Sequence, residues 1–238
     1  MALNIQSLYV LATGSARAME QADTTANNIA NVNTPGFKKL LLKEMSQRIP
    51  QNGGDTNHLF VFSRFEDTPV ITEQGALKKT ENRLDFAIEG SGFFVVKAGN
   101  EEMLTRNGHF FLNEEGYLID AKENFVLNEE GENIQLELKG EFTVTEDGTL
   151  FQKGEVISKI AVRNYDGVEA VGDSYYRPKG EETEADFKML QGFLEGSNVN
   201  ALTEMTNLIT AQRRFGIYAT LMKSLDALEQ KTNEIGRA

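Results

Sequence analysis

Thr24-Thr25-Ala26-Asn27-Asn28-Ile29-Ala30-Asn31-Val32-Asn33-Thr34-Pro35-Gly36-Phe37 reads as the last turns of a long helix followed by a forced turn. Pro35 presets φ for the second turn position, and Gly36 supplies the positive φ of the third. Thr34 is pushed out of the α region by the proline after it. The chain before this stretch reads as helix. The chain after it does not, until about Asn200.

Working back from the turn, Leu8, Leu11, Ser15, Ala18, Ala22, Thr25, Ile29 and Val32 recur three and four residues apart, a heptad-like seam. Ile5, Ala12, Met19 and Ala26 widen it on one flank. The centre of the seam is made of small residues, which permits close helix approach but buries little apolar surface per turn. At about 0.8 kcal/mol per buried CH₂, such a helix needs several partners. It suits a helix that finishes folding among other copies, a plain coiled-coil arm, or a terminal helix docked on its own domain.

Working forward, residues 36–83 read as a partly extended linker. Gln51-Asn52-Gly53-Gly54-Asp55 is a loop pattern, and Leu59-Phe60-Val61-Phe62 and Val70-Ile71 are strand-like. Residues 84–196 read as a β domain. Phe93-Phe94-Val95-Val96 is a buried-strand pattern, and short apolar segments alternate with Asn-Gly, Asp-Gly and Glu-Gly corners, as in an antiparallel sandwich or barrel. The helical period returns in 197–238. Asn200 is placed as N-cap, Met205, Leu208, Ile209 and Phe215 form one stripe, and Tyr218, Leu221, Leu225, Leu228 and Ile235 continue it past a phase shift near Gly216. The fold class is therefore α+β: two terminal helices (1–35 and 197–238) pairing as a hairpin or coiled coil, with a central antiparallel β-rich domain.

Composition narrows the function. The 238 residues carry a formal charge of −12, which argues against a nucleic-acid partner. The charge sits almost wholly in the middle of the chain, between two nearly neutral ends. Cysteine is absent, so disulfides and thiolate metal sites are excluded. His58 and His109 stand alone in sequence, without the neighbours a metal site requires. A secretory leader is not expected, because no cation precedes Arg17 and Asn4, Gln6 and Ser7 interrupt the apolar run. No apolar run is long enough to span a membrane. Glu89-Gly90-Ser91-Gly92-Phe93 lacks the spacing of a nucleophile elbow and reads as a turn. Neither a catalytic constellation nor a cofactor loop is found. An enzyme would need Asp85, Glu89 and His109 gathered in one deep pocket.

The motifs carry a resemblance. Asn27-Asn28-Ile29-Ala30-Asn31 with Thr34-Pro35-Gly36-Phe37 is similar to the signature of bacterial flagellar rod and hook proteins. Leu84-Asp85-Phe86-Ala87-Ile88-Glu89-Gly90-Ser91-Gly92-Phe93-Phe94 resembles the family's second motif, and Thr105-Arg106-Asn107-Gly108 with Phe110 the third. Leu194-Glu195-Gly196-Ser197-Asn198-Val199, then Met205-Thr206 and Arg213-Arg214-Phe215, completes it. The short β region and the Arg-Arg-Phe step look like a proximal rod subunit rather than a hook or distal rod subunit, although Gly216 departs from the glutamate usual there.

The resemblance implies a non-enzymatic, cofactor-free drive-shaft subunit. It would be exported uncleaved by the flagellar type III apparatus and assembled in the periplasm with other rod subunits around the export channel. It also implies subunit-interface roles for Leu8, Leu11, Ala18, Ala22, Asn27, Asn28, Ile29, Asn31, Met205, Leu208, Phe215, Leu221, Leu225 and Leu228. The joint is assigned to Thr34, Pro35, Gly36, Phe37, Asn198 and Val199. A buried amide must satisfy donor and acceptor, so Asn27, Asn28 and Asn31 are expected to bond to backbone of the joint or of a neighbour. The competing reading, from a different class, is a secreted adhesin or binding module that its helices join into small closed oligomers.

Overall fold

The computed structural model describes residues 2–48, 61–138 and 140–235. His58, the loop pattern at 51–55 and Leu59-Phe60 lie outside the described residues. In chain order, the elements open with α1 (Ala2–Ala30), β1 (Lys43–Arg48), β2 (Val61–Asp67), β3 (Leu77–Lys79), β4 (Phe86–Gly90) and β5 (Phe93–Ala98). Then come β6 (Glu101–Thr105), β7 (Phe111–Leu112), β8 (Leu118–Ile119), β9 (Phe125–Val126), β10 (Phe142–Val144) and β11 (Thr149–Gln152). β12 (Glu155–Lys159), β13 (Val162–Gly172), β14 (Tyr175–Thr183), β15 (Phe187–Gln191), β16 (Phe193–Glu195) and α2 (Ala201–Ile235) complete the chain. The chain divides into two compact units: 1–29, 41–68 and 200–238 in the first, 30–40 and 69–199 in the second.

In the first unit the seam of α1 from Leu11 to Ile29 is its covered face, while Leu8 is exposed. Ser15, Ala18 and Thr25 are buried, and Leu11, Ala22 and Ile29 are half-buried. α2 starts where the cap was placed, with Thr203 N–H donating to Asn200 Oδ1 at 3.1 Å. It runs unbroken through Gly216, beside which nothing approaches within 4 Å of a Cβ position. Glu204 and Ala211 are buried on α2. Asn28 Nδ2 donates to Glu204 Oε2 at 3.3 Å, and Arg214 Nη1 to Gln21 Oε1 at 3.5 Å. The Tyr218 ring lies where a Cβ on Gly14 would be, 2.7 Å from its Cζ. β1 and β2 pair antiparallel, so the Lys43–Arg48 part of the expected linker is strand.

The second unit is the β domain. A seven-stranded sheet runs β13-β14-β6-β5-β9-β8-β7, and β13 also pairs with β5, so β13, β14, β6 and β5 close a ring. A three-stranded sheet β10-β11-β12 and the pairs β15-β4 and β16-β3 complete the unit, and each of these pairings is antiparallel. The apolar run in β5 is covered on both faces. Phe94 and Val96 enter a core with Phe86, Ile88, Phe110 and Leu118, whereas Phe93 and Val95 enter a second with Leu104, Leu127, Val168 and Tyr176. Side chains alternate across a strand, so a run with no polar interruption has no face left for water. Three acidic corners fold as read: Asn113, Asn128 and Thr145 each accept at the main chain from the N–H of the glycine three residues on. Tyr165-Asp166-Gly167, read as a fourth, lies instead inside β13 at a register shift in its pairing with β14.

Candidate functional site

Segment 31–39 belongs to the β domain and is fixed there by a buried ionic clasp. The turn is closed by Thr34 N–H donating to Asn31 O at 3.2 Å and Phe37 N–H to Thr34 O at 3.3 Å. Gly36 has φ of +70°, and a Cβ there would lie 2.2 Å from Asn107 N. The backbone thus passes so close to the Arg106–Asn107 peptide that only glycine fits. Gly36 N–H donates to Glu195 O at 2.8 Å, which ties the turn to the end of β16.

The next residue closes the clasp. Lys38 is buried, and its Nζ donates to Glu195 Oε1 and to Glu73 O, both at 2.7 Å. Glu195 Oε1 also accepts from Gly75 N–H at 2.8 Å, and Oε2 accepts from Arg106 Nη1 at 3.0 Å. The Arg106 fork reaches on to the carbonyls of Ile88 (3.1 Å) and Gly90 (2.6 Å), the middle and the end of β4, the second motif's first strand. Its guanidinium lies 5.3 Å from the centroid of the Phe93 ring, a cation–π contact over the second core. Lys38 N–H donates to Tyr176 Oη at 2.7 Å.

One carboxylate therefore serves two buried cations. Burial pushes the Lys38 ammonium below its ordinary range, and the Glu195 charge opposes that shift. Burial likewise pushes the Arg106 guanidinium down against the same charge. The Tyr176 phenol is held far above its usual range, again by burial. A site of this kind binds chain to chain, because each hydrogen bond of Glu195 named above ends on the protein itself.

The C-terminal crossing is tied in beside it. Lys39 N–H donates to Asn198 Oδ1 at 2.7 Å, and Asn198 Nδ2 donates to the carbonyls of Ile71 (2.9 Å) and Glu73 (3.0 Å). Asn198 N–H donates to Phe37 O at 3.4 Å, and both Phe37 and Val199 are buried. Among the joint residues read from sequence, Thr34 is thus bonded to Phe37 and Phe37 to Asn198, while Val199 is buried. Lys38, Arg106, Glu195 and Tyr176, which hold them, were not among those expected. Each of the first three stands inside or next to a quoted motif, the only trace of them in a single chain.

The interface residues expected on the helices are placed as follows. Ala18 and Asn28 are buried, while Leu11, Ala22, Ile29, Asn31, Leu208 and Leu225 are half-buried. Leu8, Asn27, Met205, Phe215, Leu221 and Leu228 are exposed. Of the three asparagines, Asn28 donates to the Glu204 carboxylate, and Asn31 Oδ1 accepts from the Thr34 hydroxyl at 3.1 Å. His109 Nδ1 meets Asp85 Oδ1 at 2.6 Å, with Asn82 on the same oxygen, while Glu89 is exposed on β4 opposite Lys188. No group of His, Asp and Glu suited to a metal ion occurs among the described residues. No helix among them is long and apolar enough to cross a membrane.

Comparison with known proteins accounts for this convergence. Residues 8–38 match the family model described as flagella basal body rod protein, and residues 87–154 the flagellar hook protein FlgE/F/G D1 domain. Residues 190–235 match the flagellar basal body rod FlgEFG protein C-terminal model. The flagellar basal-body rod protein FlgF of Rhizobium meliloti is 34% identical, covering 95% of this chain and 96% of the relative. FlgF of Mesorhizobium japonicum is 32% identical over 91% of this chain and 92% of its own length. The chain belongs to the flagellar basal-body rod protein family. It is a structural subunit of the basal-body rod. FlgG of Bacillus subtilis is 30% identical over 263 aligned positions, covering 98% of this chain and 100% of the relative. The three matched segments of the rod family contain Lys38, Arg106 and Glu195 respectively.

Proposed function

We propose that this chain is a proximal rod subunit that polymerises through its terminal helices around the export channel and passes torque toward the hook. It associates with other rod subunits, reaches the periplasm uncleaved through the flagellar export apparatus, and performs no chemistry. The alignment with FlgG is longer than the chain itself, so FlgG carries segments this chain lacks, whereas the FlgF alignments are not. That difference favours the proximal over the distal member.

In this reading α1 and α2 form an antiparallel hairpin. The contacts Gly14–Tyr218, Gln21–Arg214 and Asn28–Glu204 support it, because one partner number falls as the other rises. The functional division is 1–35 and 197–238 for assembly, 36–83 as connection, and 84–196 as the outward domain. Helix residues Leu8, Met205, Phe215, Leu221 and Leu228, exposed in the single chain, meet neighbouring subunits.

The single observation that carries the mechanical part is the clasp. Glu195, at the end of β16 before the C-terminal helix, holds the segment leaving the N-terminal one, and Asn198 bonds to the same segment. A load on either reaches the β domain through short buried bonds. Basal bodies purified from cells whose chain bears a tag should contain it, and deletion should stop assembly before the distal rod and hook. Motile deletion cells, or basal bodies without the tagged chain, would contradict the proposal.

A further inference from the structure

The chain passes between its two compact units four times, at 29–30, 40–41, 68–69 and 199–200. Inside the second unit, the segments leading to three of these passages meet on one side chain, that of Asn198. Its Oδ1 accepts from Lys39 N–H at 2.7 Å, just before the second passage. Its Nδ2 donates to the carbonyls of Ile71 at 2.9 Å and Glu73 at 3.0 Å, just after the third. Asn198 itself leads into the fourth.

The amide is used to capacity. A side-chain amide has two donor hydrogens and one carbonyl oxygen. The nitrogen of Asn198 serves two main-chain carbonyls, and its oxygen serves a main-chain N–H. Aspartate in its place would set a second acceptor against the two carbonyls, and an apolar side chain would offer nothing to any of the three.

The position of the amide is itself held. Asn198 N–H donates to Phe37 O at 3.4 Å, and Val199 N–H donates to Ser197 Oγ at 3.2 Å. Segments 37–40 and 70–73 also touch each other, with Ile71 N–H on Lys39 O at 2.8 Å and a bridge between Leu40 and Val70. The clasp meets this place at one atom, because Glu73 O also accepts from Lys38 Nζ at 2.7 Å.

We propose that Asn198 is a positioning residue whose amide gathers three passages into one node, so that a pull on any of them is carried by all three. The clasp holds its segments by charge, whereas the node holds them by an uncharged amide, so substitution separates the two. The proposal deepens the mechanical part of the rod-subunit reading and rests on that reading for its use in the rod.

Amide exchange on the full-length chain tests the node bond by bond. In Asn198→Ala, exchange at the Lys39 and Ile71 N–H groups should quicken about tenfold or more, while Val95 and Leu127, bonded deep in the β domain, stay within about twofold. Asn198→Asp keeps the acceptor for Lys39 and loses both donors. It should leave Lys39 near its original rate and still quicken Ile71. A side chain that only supports the fold would move Val95 and Leu127 together with the other two. Unchanged Lys39 and Ile71 in Asn198→Ala, equal acceleration of all four amides, or equal acceleration of Lys39 in both variants would each overturn the node. A chain with the expected exchange pattern that is missing from basal bodies keeps the node and loses the rod reading. A chain present in basal bodies whose Asn198→Ala variant exchanges as before loses the node alone.

Discussion

Glu195 and Lys38 meet at 2.7 Å with side chains 0% and 1% exposed, and Arg106 takes the other carboxylate oxygen. The two cations are not equivalent to the anion in what their loss does. Glu195→Gln leaves two buried positive charges with no counter-charge named at the clasp, which costs about 3–5 kcal/mol. Lys38→Met removes one ammonium, leaves a neutral Arg106–Glu195 pair and relieves a desolvation cost, so it should cost less than half as much. Denaturant unfolding of the full chain at pH 7 checks the order. Equal losses would mean that the clasp's charge balance does not matter.

Gly36→Ala acts on the same place through the backbone. A left-handed φ costs an L-residue about 1–2 kcal/mol. The new Cβ would also meet Asn107 N at 2.2 Å, which no side-chain rotation relieves. The expected outcome is a loss at least as large as that of Lys38→Met in the same unfolding measurement. A neutral substitution would contradict the close approach.

Gly14→Ala decides whether α1 and α2 pair. In a free helix, alanine for glycine gains about 1 kcal/mol. In a hairpin the new methyl collides with the Tyr218 ring. Amide exchange around residues 10–18 of the full chain should therefore speed up in Gly14→Ala and slow again when Tyr218→Leu is added. Slower exchange in Gly14→Ala alone would be the mark of an unpaired helix.

Asp147 offers a pH-dependent check on the acidic corners. Hydrogen bonds from the Thr145 and Thr149 hydroxyls hold its carboxyl down at about 2, against an ordinary 3.8. A depressed carboxyl contributes stability that is complete above 3.8 and lost as pH falls through about 2. Carboxyl NMR should find a midpoint near about 2, rising toward 3.8 in Thr145→Val with Thr149→Val. An unchanged midpoint in that double variant would remove the hydroxyls as the cause.

Much of the fold was legible because local chemistry decides it. Pro35-Gly36 stops the chain as read, Asn200 caps α2, and the unbroken Phe93–Val96 run could only be a strand covered on both faces. The clasp was not legible. Lys38, Arg106 and Glu195 lie far apart in sequence, and a lysine after a turn looks like any solvated lysine. The covered face of α2 was not legible for another reason. Apolar residues lie on more than one side of that helix, so spacing alone did not show that Glu204 and Ala211 would be covered while Met205 and Phe215 stay exposed.

The most direct measurement compares basal bodies from cells carrying only Glu195→Gln with those carrying only Lys38→Met, each quantified for this chain and imaged for rod length. If the clasp is what fixes the helix-bearing segments to the β domain, Lys38→Met enters the rod near its normal amount and Glu195→Gln is lost, with rods interrupted. Full-length rods containing Glu195→Gln at the normal amount would contradict that account.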